Sequence, residues 1–253
     1  MNFINSIYSI IYVKVDSKNG IEIINEQRSE KAHTVGSGLL SPSDNQGINR
    51  PMRIIGVGSS TRESSFSTLA AKLVLDLANK NYGAETNLLD LRHTKLPMYN
   101  PDDNIQNISL TVGNLLKWAD AFVLASPDYH GSMSGAMKNF LDHFWEEFAG
   151  KTFGYICASH EKGLTVMDQM RTAVRQCYGW SLPYGISING EHDFGDNEEL
   201  IDLSINKRLK MLARDLVVYG SLIRRQFLRD IADDNISDTF AARYRSPLIV
   251  ENP

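Results

Sequence analysis

From Met52 onward, short apolar runs alternate with segments whose apolar residues return at helical spacing. The run "MRIIGVG" predicts a buried strand, and Phe66, Leu69, Ala70, Leu73, Val74 and Leu77 predict a helix behind it. "ETNLLDL" is a second strand, followed by a helix marked by Ile108, Val112, Leu115, Leu116 and Ala119. "AFVLAS" (121–126) is a third strand. "SGAMKNFLDHFWEEF" is a third helix with Ser134 in the N-cap position. "TFGYICAS" is a fourth strand, and Val166, Met167, Met170, Val174 and Cys177 mark a fourth helix. "YGISI" is a fifth strand, and Ile205, Leu209, Leu212 and Leu216 mark a fifth helix.

Five strands alternating with five helices predict an α/β domain, a doubly wound parallel sheet with helices on both faces. Residues 52–220 have the size of one such domain. Residues 1–51 read as a flexible N-terminal extension: "DSKNG", "GSG" and "SPSDNQGINRP" are polar and turn-rich, and Ile7–Val15 suggests a short strand. Met52 reads as an alternative natural start, which the intact mass of natively expressed protein decides. Residues 221–253 form a C-terminal tail with charges and aromatics but no assignable period.

Composition narrows the partners. The 253 residues carry 26 Lys and Arg against 30 Asp and Glu, a net charge of −4. A mildly acidic chain without clustered basic residues offers no footprint for nucleic acid or an anionic membrane. The apolar opening "MNFINSIYSIIYVKV" is too short to span a bilayer and lacks a signal-peptide pattern, so the expected location is the cytoplasm. The two cysteines, Cys157 and Cys177, form no CxxC, and His93, His143, His160 and His192 show no ligand spacing, so no metal site is expected. "EHDFGDNEEL" reads as an exposed acidic loop.

The chemistry concentrates in two loops. After the first strand, "GSSTRESSFS" crowds Ser59, Ser60, Thr61, Ser64, Ser65 and Ser67 around Arg62 at the start of a helix. Hydroxyls and N–H groups at a helix N-terminus suit a phosphate. The P-loop string GxxxxGK[ST] is absent, and Gly56, Gly58 and Thr61 give GxGxxT, an incomplete dinucleotide fingerprint that leaves a Rossmann dehydrogenase with Asp90 as ribose acid in play. After the third strand comes "SPDYHGSMSGAMKN". Pro127 and Gly131 set its backbone, Tyr129 and His130 offer flat faces beside exposed amides, and Ser132 opens the "GSMSG" segment. In the flavodoxin-type strand order 2-1-3-4-5 these two loops flank one crevice at the carboxyl ends of neighbouring strands. One loop suits a phosphate and the other a planar ring, which together describe an FMN site.

These two loops resemble the signature loops of the NADPH-dependent FMN reductases, with likeness to the arsenic-resistance flavoproteins and the bacterial quinone and chromate reductases. The resemblance spans about 52–220. It implies phosphate contacts from Ser60, Arg62, Ser65, Phe66 and Ser67. It implies ring contacts from Pro127, Asp128, Tyr129, His130 and Gly131, with Ser132 beside them. His130 stands where many relatives have Asn, and "SHEKG" (159–163) replaces a Gly-rich turn. The resemblance further implies a flavodoxin-like fold, FMN as cofactor, NADPH as co-substrate, a small-molecule electron acceptor and a homodimer or homotetramer. The aromatic stripe Phe140, Phe144, Trp145 and Phe148 is the expected pairing face, with packing on the sheet as its other reading. No side chain is expected to act as a catalytic acid or base. The competing reading is a flavodoxin-like electron carrier without pyridine nucleotide chemistry.

Overall fold

The apolar runs assemble into one sheet in the computed structural model, which describes residues 5–16, 20–31, 50–103, 107–235 and 237–245. Strands β3 (Arg53–Gly58), β4 (Glu85–Asp90), β5 (Ala121–Pro127) and β6 (Thr152–Ala158) pair in parallel in the order β4-β3-β5-β6. Beyond β6 the expected fifth strand is split. β7 (Trp180–Ser181) pairs with the start of β6, and β8 (Ile186–Ile188) with its end. Pro183, which has no N–H to donate, falls in the gap. The order is the expected 2-1-3-4-5.

Two further strands extend the other edge. β1 (Asn5–Asp16) and β2 (Gly20–Lys31) form an antiparallel hairpin, and β1 runs parallel to β4 through Ser9–Ile11. The strand expected at Ile7–Val15 lies within β1, β2 adds a second strand that the sequence pattern did not indicate, and 32–49 lie outside the described residues. Ile7, Tyr8, Ile10, Ile11, Tyr12, Val13 and Val15 give β1 its β-branched and aromatic content. In β2 the sequence is mostly polar, and its strand state comes from pairing with β1 rather than from local pattern.

Alternation along the strands supplies both faces of the sheet. Ile55, Val57, Phe122, Leu124, Phe153 and Tyr155 face α2 (Asn107–Trp118), α3 (Gly135–His143) and α4 (Leu164–Gln176). Ile54, Ala121, Val123, Ala125 and Ile156 face α1 (Phe66–Tyr82) and α6 (Leu203–Ala232), while α5 (Gly190–Asp193) is a single turn. The aromatic stripe divides. Phe140, Phe144 and Phe148 are buried in the first core, and α3 ends before Trp145, which is 57% exposed. Packing on the sheet is thus what the phenylalanines do.

Helix α6 does not stop near 220. It runs 30 residues, about 45 Å. Its buried stripe continues through Gly220, Arg224, Phe227 and Ile231, and the glycine and arginine hide the period from a hydrophobic reading. The chain then turns back at 240–244, where Phe240 and Tyr244 pack on Phe227 and Tyr178. Gly150 receives the Phe227 ring. Its φ is +67°, and a Cβ there would lie 2.2 Å from that ring.

A buried carboxylate joins these parts. Asp120, 1% exposed, accepts both Nη groups of Arg50 at 2.7 and 3.0 Å and the Arg53 N–H at 3.0 Å. Nε of the buried Arg224 lies 3.5 Å away. Close by, Lys151 donates to the carbonyls of Leu116 and Lys117 at the end of α2, and burial holds its ammonium well below the usual lysine range. Asp120→Ala removes the one carboxylate these guanidinium groups share. It should destabilise the fold by about 3–5 kcal/mol in urea unfolding, whereas a loss below about 1 kcal/mol would mark the cluster as solvent-relaxed.

Candidate active site

Gly58 pairs with Ala125 where β3 and β5 end, so the loops after them emerge side by side. The first loop turns into α1 at Ser65, whose Oγ accepts the Thr68 N–H at 3.3 Å as N-cap. The N–H groups of the first helical turn have no intrahelical acceptor, and no acidic residue occupies that turn. Ser60 Oγ, buried, accepts the Arg62 N–H at 3.2 Å, and the Ser65 and Ser67 hydroxyls lie 3.1 Å apart. Thr68 Oγ1 is buried without a hydrogen-bond partner. Arg62 is exposed on the outer edge, beside Glu63, which pairs with Arg92 at 3.3 Å. The Phe66 ring packs on Phe194 at 5.2 Å, so this residue offers the loop its peptide N–H and not its ring.

The second loop is a tight hairpin. Tyr129 and Ser132 exchange backbone hydrogen bonds at 3.0 and 3.2 Å. Between them His130 (φ 57°) and Gly131 (φ 75°) both occupy the left-handed region, as a two-residue type I′ turn requires. That region favours Asn and Gly, and His130 takes it here. Asp128 holds the turn. Its Oδ1 accepts the Gly131 N–H at 2.7 Å, and its Oδ2 accepts the Ser159 hydroxyl at 2.9 Å. Gln169 of α4 grips the other side, accepting the Met133 N–H at 3.0 Å and donating to the Gly131 carbonyl at 3.4 Å. Ser134 caps α3 through the Met137 N–H at 3.1 Å and reaches Ser59 of the first loop. Tyr129 is 41% exposed, and His130, Gly131 and Ser132 are exposed beside it, whereas Pro127 is buried and shapes the loop from beneath.

The structure therefore brings every expected site residue to one end of the sheet, in two adjoining loops. The long-range contacts of this framework carried no sequence signal. Ser59 and Ser134 meet across 75 positions, and Gln169 and Ser159 reach the ring loop from α4 and from the end of β6. Beneath the loop, burial, with Asp128 adding, pushes the Cys157 thiol up to about 12, so it stays neutral. Asp90 accepts the Arg92 N–H at 2.9 Å and serves the turn after β4. Elsewhere, His192 and Asp193 of the acidic loop and Asp202, the N-cap of α6, converge within 4.8 Å, but both carboxylates already accept backbone N–H groups, of Asn189 and Ile205.

Residues 52–193 match the NADPH-dependent FMN reductases. The chain belongs to that family. FMN is its cofactor and NADPH its co-substrate. The NADPH azoreductase of Bacillus sp. (strain OY1-2) is 26% identical over 168 residues, covering 63% of this chain and 91% of its own. The FMN-dependent NADPH-azoreductase of Staphylococcus aureus (strain USA300) is 28% identical over 180 residues, 66% of this chain and 93% of its own. Among solved structures, FerB, a flavoenzyme NAD(P)H:acceptor oxidoreductase from Paracoccus denitrificans, superposes with a TM-score of 0.58 at 20% identity. It covers 68% of this chain and 98% of its own, a likeness of fold.

The residues present fit FMN. A phosphate dianion needs donors without a competing acid, and the first turn of α1 meets that condition with neutral hydroxyls around it. A planar ring needs an exposed backbone edge, which the 129–132 hairpin offers.

A Cβ on Gly131 would meet nothing within 4 Å, so the glycine is required by its φ and not by crowding within the chain. Gly131→Asn should keep the turn and bind FMN within about threefold of wild type. Gly131→Val should strain it by about 1–2 kcal/mol and weaken FMN about tenfold or more. Fluorescence titration of both variants decides, and equal FMN affinities would detach this backbone state from the site.

Proposed function

We propose that the protein is an FMN-dependent NADPH oxidoreductase that passes electrons to a small diffusible acceptor, such as free FMN, a quinone or, by likeness to the relatives above, an azo compound. The observation that carries this reading is the pairing of a donor-rich helix N-terminus with an exposed type I′ hairpin at the ends of adjacent β3 and β5. In this reading Ser60, Arg62, Ser65, Ser67 and the N–H groups of Phe66 and Ser67 hold the phosphate. Asp128, Tyr129, His130, Gly131 and Ser132, seated on Pro127, present the hairpin to the ring. When bound, FMN supplies the redox chemistry, taking hydride from NADPH and giving electrons to the acceptor. The chain binds, orients and shields, and no side chain is assigned a proton-transfer role. The exposed Gly131, Ser132 and Gly135 leave room for a nicotinamide to approach.

Self-association as a homodimer or homotetramer belongs to the same proposal. Its support is the exposed Met98, Tyr99 and Leu110 around a cavity of about 160 Å³ floored by Phe144, with Trp145 following in sequence, and light scattering decides it. A cytoplasmic location is also proposed, where NADPH is supplied. No described helix is long and apolar enough to cross a membrane.

Anaerobic mixing with NADPH should bleach the bound FMN rapidly, and an unbleached flavin would make the protein a carrier. Because Ser65 is the N-cap of α1, Ser65→Asp preserves capping while setting a carboxylate against the phosphate. It should fold at least as stably as Ser65→Ala yet lose FMN, at a cost of about several kcal/mol against about 1 kcal/mol for the alanine. Riboflavin should be far less sensitive. Equal losses of FMN and riboflavin would reduce this loop to a capped turn.

A further inference from the structure

Three buried serines join the two loops. Ser59, Ser126 and Ser134 are 0%, 0% and 3% exposed. Ser134 shares its hydroxyl proton between the Ser59 carbonyl, at 3.0 Å, and the Ser59 Oγ, at 2.9 Å. Ser59 Oγ donates to the Ala125 carbonyl at 3.1 Å. Ser126 Oγ accepts the Ser134 N–H at 3.0 Å and donates to the Pro127 carbonyl at 2.8 Å. Ser59 is the first residue of the phosphate loop, and Ser134 closes the ring loop and opens α3. The chain of hydroxyls thus crosses from one loop to the other above the last ladder pair, Gly58 and Ala125.

A caps-only role for Ser134 needs the Met137 N–H and nothing more. The two additional contacts to Ser59 do not stabilise α3; they fix where α3 and the hairpin stand relative to the phosphate loop. That distance matters to a ligand with a phosphate at one end and a ring at the other. Such a ligand is bivalent, and its affinity exceeds that of its parts only when the two subsites are held at its span.

We propose that Ser134 is a positioning residue that sets the spacing of the phosphate and ring subsites, so that FMN gains from holding both at once. The proposal rests on the site reading above. It concerns affinity for the two-ended ligand, not for either end. Deleting the hydroxyl while keeping the helix cap should weaken FMN and spare riboflavin and inorganic phosphate.

The experiment uses the full-length apoprotein. FMN and riboflavin are titrated by fluorescence quenching, and inorganic phosphate by competition with FMN. Ser134→Gly is the principal variant, since glycine is a serviceable N-cap. Expected is about tenfold weaker FMN with riboflavin and phosphate within about twofold of wild type. Ser134→Thr, which keeps the hydroxyl and the cap, should restore FMN binding. Ser59→Ala, which leaves the Ser134 hydroxyl its carbonyl partner, should give a smaller loss of the same kind and serves where Ser134→Gly does not fold. An unchanged FMN affinity in Ser134→Gly, or equal weakening of all three ligands, overturns the proposal alone. Equal affinities of the wild-type protein for FMN and riboflavin would overturn the site reading and the proposal with it.

Discussion

Everything at the functional end of this molecule depends on β3 and β5 being parallel neighbours. Sequence-distant loops meet because Gly58 and Ala125 are ladder partners at the last rung. Both strands are buried throughout the pairing, and their outward residues are small on the α1 and α6 side, where Ala121, Ala125 and Gly56 let the helices approach. Chain direction diverges after that rung, one loop feeding α1 and the other α3. The helix N-termini therefore converge on one crevice, as doubly wound sheets dictate. The donors, the hairpin and the serine chain are all consequences of that single adjacency.

The site shows two kinds of rigidity. The phosphate loop is held from within, by Ser60 on the Arg62 N–H and Ser65 on the Thr68 N–H. The ring loop is held from within by Asp128 on the Gly131 N–H, and also from outside, by Ser59, Ser159 and Gln169 from three other segments. A hairpin of two left-handed residues has little side-chain packing of its own, so these neighbours reinforce the turn that Asp128 and the Tyr129–Ser132 backbone pair set. Such bracing suits a backbone edge that must stay fixed while ligands exchange against it.

This division explains what could be read in advance. The five strands and five helices, the N-cap at Ser134 and the two loops follow from local patterns of period, cap and glycine. The Phe66 ring, Gln169 and Ser159 did not, because their roles arise from contacts across tens of residues. Of the N-terminal hairpin, β1 is legible in its apolar run Ile7–Val15, whereas β2 is not, because it is a strand by partnership. Helix α6 was cut short at Gly220 because its core stripe holds Arg224, which is buried beside Asp120 and so breaks the hydrophobic pattern while keeping the helical one. The family match ends at residue 193, so neither β1–β2 nor α6 lies within it.

The N-terminal hairpin changes the boundary of the sheet. Without it β4 would present the unpaired groups of "ETNLLD", a short apolar template for a foreign strand. With it β1 occupies that position over Ser9–Ile11, and β2 becomes the outermost described strand on this side. The sequence of β2 carries Glu22, Glu26, Arg28, Glu30 and Lys31. The hairpin thus closes the backbone groups of β4 opposite Ser9–Ile11 and moves the described edge of the sheet outward from β4 to β2, so that a foreign strand meets a different template there.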